Sequence, residues 1–159
     1  MKLLSRTLSL LTITSLTLFF ANCGGGGGET DPKKVQLGKL SKTWKLGTAT
    51  LDGNSSTQIE SDFTITFSGT FNSASPDGPY AYVVTGTLTP SPWPPSGTWT
   101  FSSISGNGGQ FVLNDGIGVT YSIGSDGKLT LSFTYSGDGF DGARVSQVGG
   151  DWIFILDPQ

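Results

Sequence analysis

The stretch LTLSFTY, residues 129–135, alternates without a break: Leu129, Leu131, Phe133 and Tyr135 are apolar, and Thr130, Ser132 and Thr134 stand between them. Successive side chains of a β-strand point to opposite faces, so this spacing puts the apolar set on one side and the hydroxyls on the other. The same period recurs upstream, where Phe63, Ile65 and Phe67 are separated by Thr64 and Thr66. Turn signals fall between such runs at short intervals: DGNSS (52–56), SPDGP (75–79), GNGG (106–109), NDG (114–116) and SDG (125–127). Strands are therefore predicted near 44–51, 58–68, 80–88, 97–104, 110–113, 117–123, 128–135 and 143–156, the last broken at Gly149-Gly150. The chain reads as all-β, a single antiparallel meander of about eight strands. A closed barrel or a two-sheet sandwich would each bury one face and hide most strand edges, and the barrel is favoured.

Before this body the chain has a different character. Lys2 and Arg6 precede an uncharged run of large apolar and hydroxyl residues from Thr7 to Phe20. A basic start, a short apolar core and small residues after it are the marks of a secretory signal. The run is too short and too rich in Ser and Thr for a membrane-spanning helix, which needs roughly 20 mostly apolar residues. Phe20-Ala21-Asn22-Cys23 resembles a bacterial lipobox, where lipid is attached to the cysteine sulfur and the signal is cut just before it. Cys23 is the only cysteine of the chain. In an oxidising compartment a lone thiol has no intramolecular partner, which favours acylation over an ordinary signal peptide that leaves a free thiol. Gly24 to Gly28 follow directly and suit a flexible tether. A phosphate-cradling loop would need a preceding strand, a following helix and a set lysine, which this run lacks. The expected organisation is a lipoprotein signal peptide at 1–22, a lipidated cysteine and glycine-rich tether at 23–36, and the β-domain at 37–159. On that division residues 24–36 add little to folding, and a chain starting at Val35 should melt like the full mature protein.

Without residues 1–22, 7 cations face 12 acids. Lys33, Lys34, Lys39, Lys42 and Lys45 crowd beside the tether, whereas residues 46–159 hold 10 acids and only Lys128 and Arg144. This basic collar is either a solvated helix face or a contact for anionic headgroups. The acidic body has no basic stripe to neutralise phosphates, which argues against nucleic acid. Asp31-Pro32 reads as a helix cap followed by proline in the first turn, with Leu37, Leu40 and Trp44 spaced for one short helical segment leading into the first strand.

Chemistry-bearing residues are scarce. There is no histidine, so the usual general base near neutral pH is missing, and with Cys23 acylated no thiol is left as nucleophile or zinc ligand. Asp138 and Asp141 in SGDGFDGAR (136–144) are open to three readings: a glycine-rich turn, a calcium loop or a carboxylate pair. Their spacing departs from the calcium-loop pattern, and a catalytic pair is recognised only by geometry. No metal and no cofactor is expected, and the chain is not expected to be an enzyme. In TPSPWPPSG (89–97) four prolines stiffen the backbone around Trp93. Trp93 is then either an exposed aromatic that recognises a sugar or peptide, or a ring folded down to cap a barrel end. Of the four tryptophans, Trp99 and Trp152 belong by alternation to the core, and Trp93 is expected to be the most exposed.

LSKTWKLGTATLDG (40–53), GTWTF (97–101) and GDWIF (150–154), spread over a chain of this size behind a lipobox, resemble the lipocalin-like lipoprotein domains of unknown function found in Gram-negative bacteria. The resemblance implies a barrel whose first-strand tryptophan, here Trp44, plugs one end; it carries no activity. The expected protein is thus a cell-envelope lipoprotein held in a membrane by its lipid, with the outer membrane favoured because Gly24 follows the cysteine. It acts as a non-catalytic structural or interaction module. The alternative is a binding protein for a small apolar or glycan ligand in the barrel mouth, with Trp93 as the contact.

Overall fold

The alternation along 129–135 sorts as its period requires: every apolar residue of that run is buried and the hydroxyls between them lie outward. The computed structural model describes residues 30–56, 59, 61–86, 91–139 and 148–159. The chain divides into two units, Met1–Thr30 and Asp31–Gln159; Thr30 alone of the first is described. The second opens with helix α1 (Pro32–Leu40), followed by strands β1 (Thr43–Leu51), β2 (Asn54–Ser55), β3 (Thr64–Ser68), β4 (Tyr80–Thr85) and β5 (Ser96–Ser105). Strands β6 (Gly108–Leu113), β7 (Gly118–Ile123), β8 (Leu129–Tyr135) and β9 (Gly150–Pro158) complete it.

From β3 to β9 each strand pairs antiparallel with the next. The ring closes because β1 pairs with β3 on one side and with β9 on the other, from Trp44 opposite Pro158 to Leu51 opposite Trp152, with one register shift between Leu46 and Thr48. Eight strands thus form a closed antiparallel barrel, which decides between barrel and sandwich, and β2 is a short addition to the edge of β1. Asp52 and Gly53 join β1 to β2 with φ of 50° and 77°, the pair of left-handed residues that a tight hairpin needs. Hydroxyls on the outer wall meet across strands, Thr43 with Thr66 at 2.9 Å and Thr64 with Thr85 at 2.7 Å, and so hold the register from outside.

The inner wall is largely aromatic. Trp99 packs against Tyr80, Phe101 and Phe111 with ring centres 5.0, 4.8 and 5.1 Å apart, and Trp152 stacks on Phe154 at 5.5 Å. Edge-to-face and offset pairs of this kind add to the area they bury. Trp99 and Trp152 are in the core as their alternation predicts.

Helix α1 starts where the sequence signals it. The Asp31 carboxylate accepts the amide of Lys33 at 2.8 Å, and Pro32 occupies the first turn. Gln36, Leu37 and Leu40 face the barrel and are buried. The expected boundary between tether and domain at 36/37 therefore falls inside α1, and the packed unit begins at Asp31. The correction has a physical cause: Gln36 is 3% exposed because its amide nitrogen donates to the Gly106 carbonyl at 2.8 Å.

Candidate functional site

A barrel can act through its interior, its two ends or its outer wall. Around the helix end lie α1 and the connections β3–β4, β5–β6 and β7–β8; at the opposite loop end lie β1–β3, β4–β5, β6–β7 and β8–β9.

The helix end is shut. Leu37 and Leu40 pack into the core, and Trp44 is buried beside them with its indole nitrogen donating to the Leu40 carbonyl at 2.9 Å. The Tyr121 hydroxyl, inside the barrel, donates to the Gln36 side-chain oxygen at 3.4 Å. Burial pushes the Tyr121 phenol up to about 12. At the rim Lys33 pairs with Asp77 at 2.5 Å, and Lys39 donates to the Asn107 side chain at 2.8 Å.

Trp93 fills the loop end. It is 1% exposed, against the expectation that it would be the most exposed of the four tryptophans. Ser91 turns it inward: its hydroxyl accepts the Trp93 amide at 3.0 Å, which bends the proline-rich segment toward the barrel. The indole then lies edge to face with Phe133 at 5.0 Å, Phe154 at 6.1 Å and Tyr82 at 6.1 Å. Of the two readings of Trp93 the capping one holds. Among the described residues its Nε1 has no hydrogen-bond partner, and neither does the buried Tyr82 hydroxyl. Desolvation, with a smaller contribution from Asp115, raises the Tyr82 phenol well above its ordinary range. By contrast the Trp152 indole nitrogen donates to the Val148 carbonyl at 2.7 Å.

On the outer wall a shallow depression of about 380 Å³ runs over β7, β8 and β9, lined by Gly118, Thr120, Ser132, Thr134, Asp151 and Ile153. The Asp151 carboxylate in it accepts the Thr134 hydroxyl at 2.6 Å. The Asp52 carboxylate stands next to it, accepting the Asp151 amide at 2.9 Å, so what the groove presents is hydroxyls and carboxylate oxygens for hydrogen bonding. Among the described residues no three His, Cys, Asp or Glu side chains come together to hold a metal ion. Asp138 is exposed on the loop end, while Asp141 lies outside the described residues. Cys23 and the run from Thr7 to Phe20 lie outside them as well. No helix among the described residues is long and apolar enough to cross a membrane.

No family model, no curated protein and no solved structure matches the chain. Geometry and composition therefore carry what is said of function. Sequence reasoning passed over Gln36 and Tyr82, polar side chains inside the barrel. The serine two residues before Trp93 was the one local sign that this tryptophan turns inward.

Proposed function

We propose that the protein is a non-catalytic module of the cell envelope, held to a membrane by lipid on Cys23, whose barrel is a solid body and not a carrier. One observation supports this above the rest: the chain's own side chains occupy the interior from both ends, Trp93 at the loop end and α1 with Trp44 at the helix end. Ligand-carrying pockets commonly measure about 300–1,000 Å³. Among the described residues the mouth holds an indole against three rings, which favours a filled end over a pocket of that size. The lipocalin-like, outer-membrane assignment rests on the N-terminal pattern and on the eight-stranded closure together.

Two experiments test the proposal. Cys23→Ser should abolish incorporation of labelled palmitate and release the protein from the membrane fraction; retention of both would refute the anchor. A thermal-shift panel of fatty acids, sterols and oligosaccharides against delipidated protein should show no stabilisation. A ligand that raises the melting temperature would instead support the second reading, a binding protein for a small apolar or glycan ligand. That reading draws on the unpartnered Trp93 Nε1 and Tyr82 hydroxyl, which a ligand's polar atom could satisfy if the loop swung out.

A further inference from the structure

The described charges are sorted along the barrel axis. All six described cations (Lys33, Lys34, Lys39, Lys42, Lys45 and Lys128) lie at the helix end or on the flank next to it, and Asp52, Asp62, Asp115, Asp138 and Asp151 lie at the loop end with no described cation among them. The separation is not cosmetic, because it survives local pairing. The helix end has four acids, and each is engaged where it stands. Asp31 caps α1, Asp77 pairs with Lys33, Asp157 pairs with Lys128 at 2.6 Å, and Asp126 accepts the Lys128 amide at 3.2 Å. Lys34, Lys39, Lys42 and Lys45 have no carboxylate partner among the described residues. Lys39 leans on neutral Asn107, and Lys42 lies 5.2 Å over the Trp44 ring. The outward side of α1 adds Val35, an aliphatic residue left 40% exposed beside Lys34.

We infer that the helix end is a docking surface for an anionic lipid bilayer, with the loop end turned away from it. The inference rests on the lipid-anchor reading for the source of the membrane, but its own support is charge and connectivity. The chain that precedes Asp31 joins the barrel at this end, and only eight residue steps separate Asp31 from Cys23, a reach of roughly 28 Å. Uncompensated lysines with an apolar residue among them suit headgroup phosphates and the upper acyl region. The acidic end is repelled by the same surface. A barrel whose strands run from five to ten residues, tilted as closure requires, is roughly 20 Å long, more than two screening lengths at physiological salt, so the two ends feel the bilayer separately. A lysine close to an anionic surface gains about fivefold in partitioning.

The test places the whole chain, as purified from its host's membranes, in vesicles of phosphatidylcholine and in vesicles of phosphatidylcholine with phosphatidylglycerol. Amine-reactive labelling of each lysine and deuterium uptake of the α1 amides are then read by mass spectrometry. Phosphatidylglycerol should slow labelling of Lys34, Lys39, Lys42 and Lys45 by about fivefold and protect α1, and high salt should reverse both. Lys34→Gln with Lys45→Gln, both exposed, should remove the difference at the remaining lysines while leaving the melting temperature in place. Equal labelling and exchange in the two vesicles, with the chain still bound to both, would overturn the docking and leave the anchor standing. Binding only to the anionic vesicles, lost in salt, would support docking and refute the anchor. Binding to neither would refute both.

Discussion

Replacing Trp93 by alanine separates a cap from an ornament. Truncating a buried aromatic to alanine costs about 3–5 kcal/mol. Here part of that is returned, because the indole nitrogen is buried without a partner among the described residues, and a polar group in that condition costs about 1–3 kcal/mol that the variant no longer bears. The net loss expected for Trp93→Ala is therefore about 2 kcal/mol. Trp152→Ala loses as large a ring and in addition strands the Val148 carbonyl, which the indole satisfies at 2.7 Å, so about 5 kcal/mol is expected. For a domain of this size each kcal/mol moves the melting temperature by about 3–5 °C. Differential scanning calorimetry should show Trp93→Ala melting about 6–10 °C low, with Trp152→Ala at least twice as far down or unfolded. Phenylalanine sharpens the comparison, since Trp93→Phe keeps an aromatic ring, sheds the nitrogen and leaves only a small cavity, and should be the mildest change. A Trp93→Ala protein that melts with the wild type, or a Trp93→Phe protein worse than Trp152→Phe, would show that the indole does not sit in the barrel mouth.

Other outcomes follow from named contacts. Burial raises the phenols of Tyr82 and Tyr121, the latter from 10.0 to about 12, so the fold favours their neutral forms. The stability this gives is fully present below pH 10 and is lost as pH rises through 12; ultraviolet titration should show these tyrosines ionising late and together with unfolding. A chain starting at Asp31 should melt within a few degrees of the mature protein. One starting at Val35 loses the Asp31 cap and the Lys33–Asp77 pair and should be weaker by about 1–2 kcal/mol in urea, and equal midpoints would refute the role given to α1. Gly97→Ala would set a methyl 2.7 Å from the Tyr82 hydroxyl and closer still to the Asn114 side chain, so a loss of about 1–3 kcal/mol is expected; an unchanged midpoint would mean that the β4–β5 seam gives freely.

The strands were legible because a period of two is a local property. Leu129 to Tyr135 declare their inner and outer faces without reference to the rest of the chain. The turn signals bounded most strands to within a residue or two, and the cap at Asp31-Pro32 placed α1. What failed to show was anything decided by distant partners. Trp93 has prolines on both sides and no alternating neighbours, yet the hole it fills is made by Tyr82, Phe133 and Phe154, two of them 40 or more residues further on. Gln36 reads as an ordinary polar helix residue, and its carbonyl and hydroxyl partners stand 70 and 85 positions away. The two-residue strand β2 is too short to leave a periodic trace.

The closure of β1 on β9 sets an order of events for the growing chain. One edge of β1 finds β3 early, but the other, from Trp44 opposite Pro158 to Leu51 opposite Trp152, waits for β9. Until β9 is made that edge of β1 is unpaired, and the aromatic wall has no final seam to close it. Pairings of such wide separation in sequence form slowly. A chain exported behind a secretory signal, the reading given to residues 1–22, would profit from that delay. It would stay extensible until β9 emerges and become rigid once β9 pairs with β1.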